Sequence, residues 1–463
     1  MINIKTLSTQ RFLIPTKRQI TTPQLLKAGL YVTWGASLLL ALATLTGVQK
    51  QRHAIQTVGK DSAPSILLAQ RLKDSLLGMD ANAVNELLVK PGQNPRAIED
   101  YEERRRAFSD RIIAAAQNIT YGDAERKPIE TMQLGLGEYI AKIQRARDFN
   151  ERGDTQGVVS AYREAAEIMD KKLLPAADAL ELVNWKQLEI IYNEQRFATA
   201  QALFFVITSS LLLLSILFVI QLFLNYRMRR ILNPMLLAGT VILLVFLGYT
   251  TKALLSSSHN LKVAKEDAFA SLYMLREARA LAYGINADES RYLIDKEFAA
   301  KHEQAFFDKA AKIAKLSNGQ TFETVVATFK QTNQVNGFSG LMANVLNNIS
   351  FPGEKEVALA TLSNFGTYLT INQQIRQLEQ SGKHTEAIAL STGYNKGESN
   401  WAFDQFKKEH TKAQDINKEA FEKAVAQGFK DVEGFEIVAP VVAVAISLLT
   451  LFGLLPRIKE YDV

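Results

Sequence analysis

Four long stretches without a single charged residue constrain this chain more than any other feature. No charge occurs between Lys27 and Lys50, and residues 30–48 are dense in Leu, Ala and Val. A second uncharged stretch lies between Arg196 and Arg227, centred on residues 211–217. Residues 231–251 form the third and residues 437–455 the fourth. Each supplies the roughly 20 apolar residues that carry a helix across about 30 Å of hydrocarbon. Lipid offers the backbone no hydrogen bonds, so uncharged runs of this length are read as helices.

Basic residues set the expected orientation. The first 27 residues carry Lys5, Arg11, Lys17, Arg18 and Lys27 and no acid, and the short link after the second span carries Arg227, Arg229 and Arg230. Both segments are expected in the cytoplasm by the positive-inside rule. These eight cations exceed the net charge of +6, so the rest of the chain sums to −2. The basic balance is therefore a topology signal and calls for no nucleic acid. No small-residue cleavage signature follows the first span, so an uncleaved anchor is expected. An organelle transit peptide is the other reading of such an acid-free N-terminus.

The expected organisation is a basic cytoplasmic segment at 1–27 and transmembrane helices at 28–49, 202–224, 235–254 and 435–455. A cytoplasmic link occupies 225–234 and a cytoplasmic tail 456–463. Two extracytoplasmic helical domains lie between, at 50–201 and 255–434, each long enough for a core of its own. The fold class is thus all-α, an integral membrane protein with four spans and two outer helical bundles. There are no cysteines, so neither disulfides nor thiolate metal sites are available, and a helical core does without them.

Within the outer segments the strong helix formers Ala, Leu, Glu, Lys, Gln and Arg predominate. Ile66, Ala69, Leu72, Leu76, Met79, Ala83 and Leu87 recur every three or four residues and define one apolar helix face. Breaks fall at Pro91-Gly92-Gln93-Asn94-Pro95, from Tyr121 to Pro128, and at Gly153-Asp154, dividing the first domain into four helices of an up-down bundle. The second domain has extra breaks at Ser317-Asn318-Gly319, Phe351-Pro352-Gly353, Ser381-Gly382 and between Gly393 and Gly397.

The second half reads as a repeat of the first. Val58-Gly59-Lys60-Asp61 aligns with Val263-Ala264-Lys265-Glu266, and Leu67 and Arg71 with Leu272 and Arg276. Gly78-Met79-Asp80-Ala81-Asn82 then meets Gly284-Ile285-Asn286-Ala287-Asp288. On the returning helices Asn184-Trp185 aligns with Asn400-Trp401, and Asn193 and Phe197 with Asn417 and Phe421. That last match requires about two extra helical turns in the second copy.

Two spans flanking a helical bundle resemble the four-helix-bundle sensor domains of bacterial chemoreceptors and histidine kinases. Residues 30–88 and 153–224 carry the resemblance, and residues 236–294 and 382–455 carry it again. The resemblance implies an extracytoplasmic bundle that binds small molecules or proteins, often as a homodimer, and passes helix displacements through the membrane. The link from Arg227 to Pro234 is far too short for the signalling module such proteins use, and the sequence runs only eight residues beyond the last span. Output is therefore expected through a separate membrane protein partner.

Chemistry is sparse. His53, His259, His302, His384 and His410 form no i, i+4 pair or HExxH arrangement, so no metal or cofactor is expected. His53 and His259 read as solvated residues just outside two spans. The run Glu102-Glu103-Arg104-Arg105-Arg106 is the densest charge cluster. Successive helix positions point about 100° apart, so only one of these arginines can turn inward toward a carboxylate or phosphate group. Arg104 and Arg105 are the candidates, and Tyr283 and Tyr292, beside the repeated Gly284 segment, are candidate pocket-lining residues. The ordinary readings are a solvated face and a core.

Asn118-Ile119-Thr120 and Asn348-Ile349-Ser350 match the glycosylation pattern, which is meaningful only in a eukaryotic secretory route. No phosphate loop, nucleophile elbow or catalytic triad occurs, and no charge lies well inside a span, as transport pathways usually require. The reading is a non-enzymatic, sensor-like protein in the lipid bilayer, with an unknown small-molecule or protein ligand. The competing readings are a structural or assembly subunit docking another membrane complex, and a minor transporter or channel component.

Overall fold

A computed structural model describes residues 21–228 and 232–461. Lys5, Arg11, Lys17, Arg18, Arg229, Arg230 and the last two residues lie outside the described residues. The chain is almost wholly helical. Helix α1 (Thr22–Gln56) passes through a π-helical segment, Thr57–Ser62, into α2 (Ala63–Leu87). Then come α3 (Pro95–Gln117), α4 (Asp123–Glu151) and α5 (Thr155–Ile168), which runs through a second π segment, Met169–Leu173, into α6 (Leu174–Met228).

The second half opens the same way. Helix α7 (Pro234–Lys262) passes through the π segment Val263–Phe269 into α8 (Ala270–Ile294), followed by α9 (Ala299–Ile313). An added excursion comprises β1 (Lys315–Leu316), α10 (Phe322–Thr332) and β2 (Phe338–Ser339). The strands pair antiparallel, Lys315 with Ser339 and Leu316 with Phe338, and are the sole departure from an all-α fold among the described residues. Helices α11 (Leu341–Asn347), α12 (Glu354–Gln380), α13 (His384–Thr392), α14 (Ser399–Asp431) and α15 (Phe435–Lys459) complete the chain.

Local chemistry sets the helix ends. The Asn94 side chain caps α3 by accepting the Ala97 N–H at 3.2 Å, with Pro95 in the first turn, where its missing N–H costs nothing. Asp154 caps α5 through the Gly157 N–H at 2.8 Å. Between α14 and α15 the chain turns at Gly434, whose φ of 79° suits a residue without Cβ. The other three apolar stretches lie within unbroken helical runs.

The chain divides into two compact units. One comprises the residues through Val48, Ala200–Ala253, and those from Glu433 onward. Here lie the most apolar parts of four helical runs, each long and apolar enough to cross a membrane. Several of their hydroxyls turn back on their own backbone, as Thr240 does on Leu236 and Thr450 on Ile446. Trp34 donates to the Ser447 carbonyl at 3.0 Å and Asn233 to the Gly453 carbonyl at 2.9 Å, tying helices together. Leu38, Phe205, Leu211, Val219, Val245 and Phe452 are exposed on this unit, the apolar outer surface that a lipid environment accepts.

The other unit, Gln49–Thr199 with Leu254–Val432, holds both segments that the sequence reading treats as separate domains. They share one apolar core, in which Leu72, Leu76 and Met79 of α2 belong to the same cluster as Leu275, Ala282 and Ile285 of α8. Helices α2 and α8 pack directly on each other along a seam.

One set of contacts occurs in both halves atom for atom. Glu125, buried, accepts the backbone N–H groups of Thr120 and Tyr121 on Oε2 and the Asn184 amide at 2.8 Å on Oε1. Glu354, also buried, accepts the N–H groups of Ser350 and Phe351 on Oε2 and the Asn417 amide at 2.8 Å on Oε1. Asn118 donates to Ser65 at 2.7 Å, as Asn348 does to Ser271 at 2.9 Å. Asn118 and Asn348 open the two glycosylation-type triplets, and here they hold a loop against a helix. The clasp also corrects the register of the returning helices: Asn417, and not Asn400, stands where Asn184 stands.

Removing either carboxylate leaves two backbone N–H groups without that acceptor and each amide with only the carbonyl four residues before it, Leu180 or Ala413. Glu125→Ala and Glu354→Ala should each cost about 2–4 kcal/mol, read as a lowered thermal midpoint of the purified full chain. A loss at one glutamate only would show that the two clasps are not equivalent.

Candidate functional site: a polar seam between α2 and α8

Most helices in such a unit bury one stripe, but α2 and α8 are buried nearly all round in their C-terminal halves. Their second faces carry polar groups that are satisfied, where they are satisfied, across the seam. Glycines make the approach close. A Cβ on Gly78 would meet the Arg104 stem at 3.0 Å, and one on Gly284 the Lys309 stem at 3.2 Å. The repeated glycines thus let a long cation from the next helix, α3 or α9, lie across the seam helix in each half.

At one level of the seam the charges balance. Asp80, fully buried, accepts hydrogen bonds from Tyr139 at 3.2 Å, Tyr162 at 3.1 Å and Arg291 at 2.6 Å. Arg291 also donates to the Tyr162 hydroxyl at 2.9 Å and to Asp288 at 3.3 Å, and Asp288 pairs with Lys309. Two buried carboxylates meet two cations, and the exposed Asp170 stands 3.8 Å from Arg291. Burial and the Asp80 carboxylate push the Tyr139 phenol well above its usual range. Nearby, Asn85 donates to Asn286 at 3.0 Å and accepts from Ser290 at 2.9 Å. Glu289, buried, is held by Ser399, Asn372 and Ser391 at 2.6–3.0 Å.

About two turns earlier on α2 the balance fails. Asp74, 3% exposed, lies 3.4 Å from Arg104 Nη1 and 3.3 Å from Arg279 Nε. Burial alone would raise its carboxyl, but Arg279, Arg104, Arg111 and Arg276 together hold it below the usual range. Arg104 reaches past it to the Tyr283 hydroxyl at 2.6 Å, its guanidinium 5.0 Å from that ring centroid. Arg111 donates to the Arg71 carbonyl at 2.8 Å and to Ser75. Arg276 has no ion pair among the described residues, and its Nε is buried without a hydrogen bond. Burial first, and Arg71 second, push it down to about 9.

Four arginines therefore act on one buried carboxylate, and Arg71 adds its charge beside Arg111 and Arg276. Like charges 6 Å apart repel by roughly 3 kcal/mol at an effective dielectric of 20. The neighbouring Lys73 gathers three carboxylates, Asp178 at 2.6 Å, Glu277 at 3.3 Å and Glu181 at 3.4 Å, an excess of negative charge that forms no ion pair with these arginines among the described residues. Against the same cluster lies His410 of α14, with 0% exposure and no hydrogen bond to either ring nitrogen. Burial, Arg279 and Arg276 push it down to about 3, against the weaker pull of Asp74.

Of the four residues singled out from sequence, the structure brings Arg104 and Tyr283 together at this level. Arg105 pairs instead with Glu102 on its own helix, at 2.7 Å, and is well exposed. Tyr292 lies beneath the Arg376 guanidinium, 4.6 Å from its ring centroid, elsewhere in the second half. Asp74, Arg111 and Arg279 escaped the sequence reading, His410 entered it only as one of five histidines without metal-ligand spacing, and Arg71 and Arg276 only as matched positions of the two halves. Their signal was positional: His410 continues the stripe of Phe403, Phe406 and Ala413 on α14. His53 and His259 are exposed. Among the described residues no group of three or more His, Cys, Asp or Glu side chains is placed to hold a metal ion.

These features define a helical protein with four membrane-capable runs and, in its other unit, a charged helix–helix seam. Residues 54–193, from the end of α1 into α6, match the family model described as Actinobacterial sensor domain. That segment is similar to a sensor domain. Neither the curated proteins nor the solved structures contain a match to the chain.

His410 carries a pH prediction. Its ordinary value is about 6.5, and the folded chain holds it near 3. Below pH 6.5 the unfolded chain binds a proton that the folded chain refuses. Stability therefore falls as pH drops, by up to about 1.4 kcal/mol per unit. In His410→Gln this part of the slope should vanish between pH 7 and 5, as measured by thermal or denaturant midpoints.

Proposed function

We propose that the chain is an integral membrane sensor protein, without catalytic activity of its own, that acts through a separate membrane partner. The observation that carries this reading is the sensor-domain match over residues 54–193, since it spans the seam helix α2 and its neighbours. We further infer that the second half arose by duplication of the first. The recurring Glu125 and Glu354 clasps support this, down to the Asn184 and Asn417 Oδ1 atoms, which both lack a partner. The π segments Thr57–Ser62 and Val263–Phe269, at matching places, support it too.

In this reading the two halves stand as related four-helix bundles on the extracytoplasmic side, fused along α2 and α8. The basic segments around Lys27 and Arg227 and both termini lie in the cytoplasm. A change at the seam has helical routes toward the membrane, because α1–α2, α7–α8 and α5–α6 are continuous. The buried Asp80–Arg291 interlock suits a second reading, in which the fused halves are a rigid docking body for another membrane complex.

Topology is open to a direct test, since the chain has no cysteine. Lys90→Cys and Lys396→Cys should react with an impermeant maleimide in intact cells, and Lys459→Cys only after permeabilisation. Labelling of Lys459→Cys in intact cells would reverse the orientation. Function is tested by crosslinking in native membranes and purification through a C-terminal tag. Recovery of a kinase or chemoreceptor is the expected result. Recovery of a transport or energy-converting complex would favour the docking body, and recovery of the chain alone, with crosslinking shown to work, would count against both.

A further inference from the structure

We propose that the arginine cluster on the α2–α8 seam is a binding site for a small anion of at least two negative charges, of the phosphate, sulfate or dicarboxylate class. The inference rests on the sensor reading and supplies its ligand.

The argument begins with charge. Arg104, Arg111, Arg276 and Arg279 act on Asp74, Arg71 acts on Arg111 and Arg276, and among the described residues no second buried carboxylate pairs with them. The exposed Glu103 adds only a weaker attraction on Arg104. A guanidinium stays protonated at neutral pH even when its environment opposes the charge, so the repulsion is relieved by an incoming anion. Arginine suits that role because its planar fork presents parallel N–H donors to oxygens.

Geometry adds two independent observations. A buried donor stands unused, since Arg276 Nε has no acceptor, and His410, at 0% exposure against the same arginines, has no side-chain partner and meets only the Leu275 backbone. The cluster also has a way in, since Arg71, Arg111 and Arg276 are only half-buried while Asp74 lies beneath them. Arg71 has no carboxylate partner among the described residues. The residues come from both halves: Arg71 and Asp74 from α2, Arg104 and Arg111 from α3, Arg276 and Arg279 from α8. A monovalent ion would leave most of this charge unanswered. A multiply charged oxyanion would bridge the two halves at the level where the protein's own charges do not.

The test uses the purified full chain in detergent or nanodiscs. Thermal midpoints and calorimetric titrations are recorded with inorganic phosphate, sulfate or succinate, against chloride at matched ionic strength. At least one of the three should stabilise the protein beyond chloride, and which one does so separates phosphate, sulfate and carboxylate chemistry. Arg71→Gln and Arg276→Gln should each weaken that affinity tenfold or more. Their midpoints in chloride should equal or exceed the parent's, because a repelled charge has been removed. Equal effects of all three anions and chloride would overturn the site, as would undiminished binding in both variants. Should Arg276→Gln fail to fold, the half-buried Arg71 decides alone. The readout needs no partner protein, so failure here leaves the sensor reading standing, and recovery of a non-signalling complex by crosslinking leaves the site standing.

Discussion

The contact on which this unit depends is the burial of Arg291 against Asp80. Arg291 belongs to α8 of the second half, and the groups that satisfy it, Asp80 and Tyr162, belong to α2 and α5 of the first. A buried charge whose partner is withdrawn costs about 3–5 kcal/mol. Separating the halves would expose that cost at Arg291 and again at Asp80, whose other ligands are neutral phenols. Apolar burial brings α2 and α8 together, and this pair fixes their register, since a slide by one turn would leave Asp80 without a cation and Arg291 with Asp288 of its own helix in place of Asp80.

The same seam explains what the sequence made legible and what it hid. The apolar stripe of Ile66, Leu72, Leu76 and Met79 is visible by period and is buried. A stripe reports one packing face, so the segments read as two bundles with separate cores. Their second faces carry Asp74, Ser75, Asp80, Asn82 and Asn85, which periodicity counts as solvent-facing and which are buried as well. Polar residues satisfied across a helix pair leave no apolar pattern. The available hint was steric, in the small residues Gly78, Ala81, Gly284 and Ala287, which permit close approach.

The likeness of the two halves was legible where it is local. The segments beginning at Gly78 and Gly284 align because each glycine accommodates a cation stem from the following helix, Arg104 or Lys309. On the returning helices identity misled. Asn400 matches Asn184 by its neighbouring tryptophan, but Asn417 matches it by work, binding the buried glutamate of the clasp. The two Asn-Ile-Ser/Thr triplets resembled a surface modification signal, although their side chains are spent on Ser65 and Ser271. The β1–α10–β2 excursion separates the second triplet from α9 and shifts every later position, so residue identity no longer marks the register.

The two charged levels of the seam, about 9 Å apart along α2 by helix rise, explain each other by contrast. At Asp80 the protein supplies both signs: Asp80 and Asp288 against Arg291 and Lys309. That level is complete without any other molecule and holds the halves in register. At Asp74 the protein sets one buried carboxylate among four guanidiniums with a fifth, Arg71, beside them, while Glu277, Glu181 and Asp178 gather on Lys73. A chain selected only for rigidity gains nothing from the repulsion among these arginines, since replacing Arg276 or Arg71 by a neutral residue would relieve it. An anion bound there, as proposed, would make the packing of α2 against α8 conditional at Asp74 while the Asp80 level stays fixed.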